Sequence, residues 1–152
     1  MSHRYISLIA GMFLAASIFA AAAYAHGHKA MNGTWTLIPE RCDFAGQVPI
    51  HRGTVTINER EGNITVSRNF EYEGDNESSF YRSTTDGANN AKIHGTGGVT
   101  SRTAWDHDQL RVTTTQDGET TVETYWLNGD GTMTVNVLRP DQRPITLVFE
   151  RR

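Results

Sequence analysis

The sequence predicts an all-β fold, an up-and-down antiparallel β-barrel of about eight to nine strands that follows an N-terminal export signal. Three observations carry this expectation. Short runs of alternating apolar and polar residues occupy the chain from residue 33 to its end. Asp-Gly and Asn-Gly pairs punctuate them, and no window shows a helical period beyond a single turn at PERCDF started by Pro39. A meander of that length left open would carry two bare edges and one unburied face, and closure into a barrel removes both. The rival is a two-layer sandwich with Greek-key crossovers, which the short turns between neighbouring runs disfavour.

Residues 1–25 read as a signal peptide. Arg4 precedes an apolar run through Ile6, Leu8, Ile9, Phe13, Leu14, Ile18 and Phe19, and Ala23-Tyr24-Ala25 supplies the small-x-small cleavage pattern. Residues 26–31 then form a flexible mature N-terminus, and 32–152 form the barrel. The expected address is periplasmic or secreted, with no stable membrane insertion after cleavage.

The strands follow in order. GTWTLI (33–38) comes first, and the connection 39–52, with Pro39 and Pro49, carries no strand pattern. GTVTINE (53–59) and NITVSRNFEY (63–72) flank a polar turn at Arg60-Glu61-Gly62. ESSFYRSTT (77–85) ends in Asp86-Gly87, and AKIHG and GVTSRTAW lie within 91–106, broken by Gly95, Gly97 and Gly98. QLRVTTT (109–115) stops at Asp117-Gly118, and ETTVETYWL (119–127) stops at Asn128-Gly129-Asp130-Gly131. TMTVNVL (132–138) and ITLVFERR (145–152) close the chain. Val55 and Ile57, Ile64 and Val66, Met133, Val135 and Val137, and Ile145, Leu147 and Phe149 each alternate mainly with Thr, Asn or Ser. Each strand therefore has one apolar face and one wettable, Thr-rich face. An outer-membrane barrel would need the opposite, an apolar outer band with aromatic girdles.

Charge excludes further classes. The chain has 14 Lys and Arg against 17 Asp and Glu; without Arg4 the balance is 13 against 17, a net −4. A mildly acidic domain lacks the basic stripe that nucleic acid requires. Cys42 is the only cysteine, so no intrachain disulfide forms; it is expected to be buried and inert, the alternative being intermolecular pairing.

Gly33-Thr34-Trp35 at the start and Val148-Phe149-Glu150-Arg151-Arg152 at the end resemble the lipocalin-like, calycin-type barrels. That resemblance implies that Trp35 lies across the closed end and that a basic residue, Arg151 or Arg152, packs on its indole. An indole would fill an apolar hole and a guanidinium would shield it from water. NGTWTLIPERCDF, TVTINEREGNITVS, WDHDQLRVTTT and the terminal VFERR further resemble small exported bacterial lipocalin-like domains, with Cys42 where a small Ser is usual.

Candidate binding residues are the aromatics Phe70, Tyr72, Phe80, Tyr81, Trp105, Tyr125 and Trp126, with Arg68, Arg82, Arg102 and Arg111 to orient an anionic head group. A small barrel can hold one ligand or be filled by side chains. His26-Gly27-His28, at a free terminus, offers a nitrogen set that suits Cu(II) or Ni(II). Asp106-His107-Asp108 and Asn128-Gly129-Asp130-Gly131 read as turns, and isolated His51 and His94 suggest no chemistry. Gly95-Thr96-Gly97-Gly98 has no following helix or Lys and is no phosphate loop. No catalytic residues and no cofactor are expected. The sequence thus points to an exported, non-enzymatic barrel that binds a small, largely apolar ligand under a lid at 39–52. The alternative is a filled barrel serving as an envelope structural or protein-interaction module.

Overall fold

The structure is a computed structural model that describes residues 28–89, 92–93 and 99–152. The expected signal peptide, His26, His94 and the glycines at 95, 97 and 98 lie outside the described residues. Among the described residues, nine long strands and two short segments build one antiparallel sheet. They are β1 (Gly33–Leu37), β2 (Arg52–Arg60), β3 (Asn63–Tyr72), β4 (Asp75–Thr84), β5 (Asp86–Asn89), β6 (Lys92–Ile93), β7 (Thr100–Asp106), β8 (Gln109–Gln116), β9 (Glu119–Leu127), β10 (Met133–Leu138) and β11 (Ile145–Arg151). A single 3-10 turn, Pro39–Arg41, follows β1.

Sequence neighbours pair from β1 to β4 and from β7 to β11, and β1 also pairs with β11, so the two termini of the meander meet. The sheet runs from β5 on β7, through β8 to β11, then β1 to β4, and ends at β6 on β4. The barrel is nearly closed. β4 and β7 lie next to each other at the seam, with no ladder between them among the described residues.

Side-chain parity explains the core. On β2 the buried Val55 and Ile57 alternate with exposed Thr56 and Asn58, and on β3 the buried Ile64 and Val66 follow the same rule. On β10, Met133, Val135 and Val137 point inward. Glu61-Gly62 and Asp117-Gly118 both adopt positive φ at two successive residues, the conformation of a tight hairpin whose twist matches that of the strands. Asp86-Gly87 behaves differently from the hairpin that the pair suggests. It does not fold the chain back on β4 but opens β5, which pairs with β7 across a bulge between Asp86 and Asn89. Gly87, at φ 82°, supplies the bulge conformation, while the Asp86 carboxylate accepts the Ala88 amide at 2.9 Å and the Thr84 hydroxyl at 2.7 Å.

Trp35 is 1% exposed, and its indole Nε1 donates to the Met31 carbonyl at 2.8 Å. The Arg151 guanidinium sits over the indole, 4.3 Å from the ring centroid, and donates to the carbonyls of Asn32 (2.7 Å) and Ala30. Gly33 is required for this approach: a Cβ there would lie 2.8 Å from Arg151 Nη1, and its φ of 130° is poorly tolerated by other residues. Arg152 is exposed; its backbone amide donates to Thr34 O at 3.0 Å.

Candidate functional site

A cavity of about 460 Å³ opens under the segment 44–50. Its walls come from β2, β3, β4, β9, β10 and β11, and Phe44, Gly46, Gln47, Val48 and Ile50 cover it. Most of the lining is apolar: Val55, Phe70, Val135, Val137, Ile145, Leu147 and Phe149 join the covering residues. The segment over the cavity is tied down by the Asp43 and Thr146 backbones, which exchange two 2.8 Å hydrogen bonds. The Cys42 thiol donates to Ile38 O at 3.2 Å and accepts the Val148 amide at 3.4 Å. Burial pushes the thiol pKa up, against the opposing amide bond, so it stays protonated and a poor nucleophile.

The one charged element deep in the cavity wall is an ion pair that spans the barrel from β3 to β9. Arg68 donates from Nη1 to Glu123 Oε1 at 2.6 Å and from Nη2 to Oε2, with 18% and 13% of the two side chains exposed. The Tyr125 hydroxyl donates to the same Glu123 Oε2 at 2.8 Å. Tyr81 and Tyr125 face the guanidinium with their rings, at 5.5 and 6.0 Å. Burial opposes the charge on Arg68, but Glu123, Tyr125 and Tyr81 together outweigh it and hold the guanidinium firmly protonated. Burial also raises both tyrosine pKa values, so each phenol keeps its proton. The cluster's geometry is that of a fixed polar wall.

Behind the pair lies a more polar part of the interior. Ser101 and Thr103 are buried, and their hydroxyls, like Trp105 Nε1, have no hydrogen-bond partner among the described residues.

Of the residues singled out from sequence, the structure brings Arg68, Phe70, Tyr72 and Tyr125 to the cavity. Tyr81 is buried against Arg68 but does not line it. Phe80, Arg82, Arg102 and Arg111 are exposed and Trp126 is half-buried; each has the strand parity opposite to an inward neighbour such as Tyr81, Tyr125 or Thr103. Trp105 stacks face to face on His28, with centroids 3.7 Å apart, and the His28 Nε2 meets the His107 carbonyl at 3.0 Å. No group of three or more metal-ligating side chains forms among the described residues. Sequence reasoning missed Glu123, which shares the inward phase of Tyr125 but lies on a face that also carries Glu119 and Thr121 and so gave no apolar background against which to stand out.

The two expected turns form as polar caps. His107 Nδ1 meets Asp106 Oδ1 at 2.9 Å. Asp130 accepts the Thr132 hydroxyl at 2.6 Å, its amide at 3.0 Å and Arg41 at 3.0 Å, and these bonds, Thr132 first, hold its carboxyl at about 2 instead of 3.8. A depressed pKa stabilises the fold above the ordinary value, and the contribution is lost as pH falls through the folded one. Asp130→Asn should therefore flatten the decline in melting temperature between about pH 4 and pH 2; an unchanged decline would show that the cap contributes nothing.

No protein-family model matches the chain, and no curated protein matches it. Solved structures do. The fluorescent protein UnaG superposes with a TM-score of 0.63 at 17% identity, covering 80% of this chain and 96% of that one. An abundant heat soluble (SAHS) protein from Ramazzottius varieornatus gives 0.62 at 10%, over 81% and 96%. Fatty-acid-binding protein 1 of Echinococcus granulosus gives 0.57 at 10%, over 81% and 98%. The fold is a calycin-type barrel. Within it, the Trp35–Arg151 stack and the Arg68–Glu123 pair set charged groups against aromatic rings.

Proposed function

We propose that this chain is an exported, non-enzymatic binding protein that carries one small, largely apolar molecule in the cavity beneath residues 44–50. The observation that carries the reading is the cavity itself: about 460 Å³, walled mainly by aliphatic and aromatic side chains, with a few fixed polar groups. Volumes and linings of this kind are those of small-molecule sites, and a barrel packed solid as a structural module would not leave such a void. At roughly 30 Å³ per water-sized group, the space suits a ligand of about 15 heavy atoms. The names of structural neighbours lend support, since one is a fatty-acid-binding protein and another, from Schistosoma mansoni, was solved with arachidonic acid. Export rests on the apolar run and cleavage pattern of residues 1–25.

The test is a melting and fluorescence screen of the purified chain against long-chain alcohols, fatty acids and the neutral dye Nile red. At a ligand concentration a hundredfold above Kd, stabilisation of about 2.7 kcal/mol is expected. Val135→Trp, which places an indole in the void, should abolish the shift. A screen in which no apolar compound moves the melting point or the dye emission rejects the reading.

A further inference from the structure

The charges around the cavity cancel. Its lining contains two cationic side chains, Arg68 and Arg139, and two anionic ones, Glu77 and Glu123. All four are already engaged. Both Arg68 terminal nitrogens are committed to Glu123, which also takes the Tyr125 hydroxyl. At the rim, Arg139 donates to Gln47 Oε1 at 3.0 Å, and the Tyr72 hydroxyl donates to Glu77 at 3.3 Å.

From this arrangement, and resting on the binding reading above, we propose that the cavity selects an uncharged amphiphile, such as a long-chain alcohol or ester, and discriminates against both the fatty-acid anion and the alkylammonium ion of the same length. A carboxylate entering this space gives up its hydration and meets a guanidinium whose pull is offset by the Glu123 carboxylate bonded to it. An ammonium meets the mirror situation, because Arg68 repels what Glu123 would attract. An uncharged hydroxyl loses far less hydration. It also finds a partner: a carboxylate offers about four lone-pair sites, and three donors occupy Glu123. The remaining site accepts the ligand hydroxyl. The apolar side chains around the pair then take the alkyl tail.

The experiment displaces Nile red from the wild-type chain with 1-dodecanol, laurate and dodecylammonium at about pH 8, where laurate is ionised and the amine protonated. Dodecanol is expected to act at a concentration about tenfold or more below either ion. Its effect should not change between low and high salt. Glu123→Gln removes the anion and leaves the cation, so laurate should gain about tenfold while dodecylammonium gains nothing. Laurate or dodecylammonium equalling dodecanol on the wild type overturns the inference, and so does Glu123→Gln with the ranking unmoved. If that variant does not fold, the wild-type ranking and its salt dependence decide. A barrel that takes up neither the dye nor any of the three probes brings down the binding reading itself. One that binds laurate best brings down only the selectivity.

Discussion

Trp35→Ala is expected to cost about 4 kcal/mol of unfolding free energy, the largest effect of any single truncation in this barrel. The indole is 1% exposed and lies among the most deeply buried side chains, with Met31, Ile57, Ile64, Phe149 and Met133. Deleting it opens a void that a sheet closed on itself cannot collapse to fill, because the surrounding backbone is fixed by its ladders to β2 and β11. The Met31 carbonyl loses its donor as well. Arg151→Ala should cost much less, about 1 kcal/mol, since its guanidinium is exposed and the carbonyls it serves can turn to water. Urea denaturation of both variants checks the pair. For a domain of this size the Trp35 change corresponds to a fall in Tm of roughly 15 °C. A smaller effect for Trp35 than for Arg151 would mean that the ring is a surface decoration and not a plug.

That contrast is also where the sequence was most legible. Strand parity alone puts Trp35 and Leu37 inward on β1, Val55 and Ile57 inward on β2, and Leu147 and Phe149 inward on β11. Hydrophobic alternation is a local signal, and the meander follows from local turns. The cavity was legible only in fragments. Arg68, Phe70 and Tyr72 share the phase of Ile64 and Val66, so parity could place them inside. The same rule could have removed Phe80, Arg82 and Trp126, whose immediate neighbours point inward. Parity cannot show which inward residues meet. Arg68 and Glu123 are 55 residues apart on strands that touch only across the barrel interior, so their contact depends on closure and stagger. Asp86-Gly87 failed for a related reason. The dipeptide specifies backbone geometry, not destination, and the same positive φ serves a bulge on β7 as readily as a hairpin on β4.

The second large effect concerns the pair that crosses the interior. Arg68→Met should lower stability by about 3 kcal/mol, because it leaves the Glu123 carboxylate with the Tyr125 hydroxyl as its one remaining partner in a mostly apolar wall. The double variant Arg68→Met with Glu123→Gln should recover most of that loss, to within about 1 kcal/mol of the wild type, because Gln is uncharged and still accepts the Tyr125 hydroxyl. The partial exposure of both side chains keeps the single-variant figure at the lower end of the range for buried pairs. Thermal and urea unfolding of wild type, both single variants and the double variant form a cycle with an expected coupling of at least about 2 kcal/mol. A double variant that loses the sum of the two single losses would mean that the pair adds nothing as a pair. Recovery in the double would show that the charges are nearly neutral for stability when present together. What then needs explaining is why this chain places two opposed charges in the wall of an apolar cavity. The ligand that fits both without being either is the explanation that the wall geometry supplies.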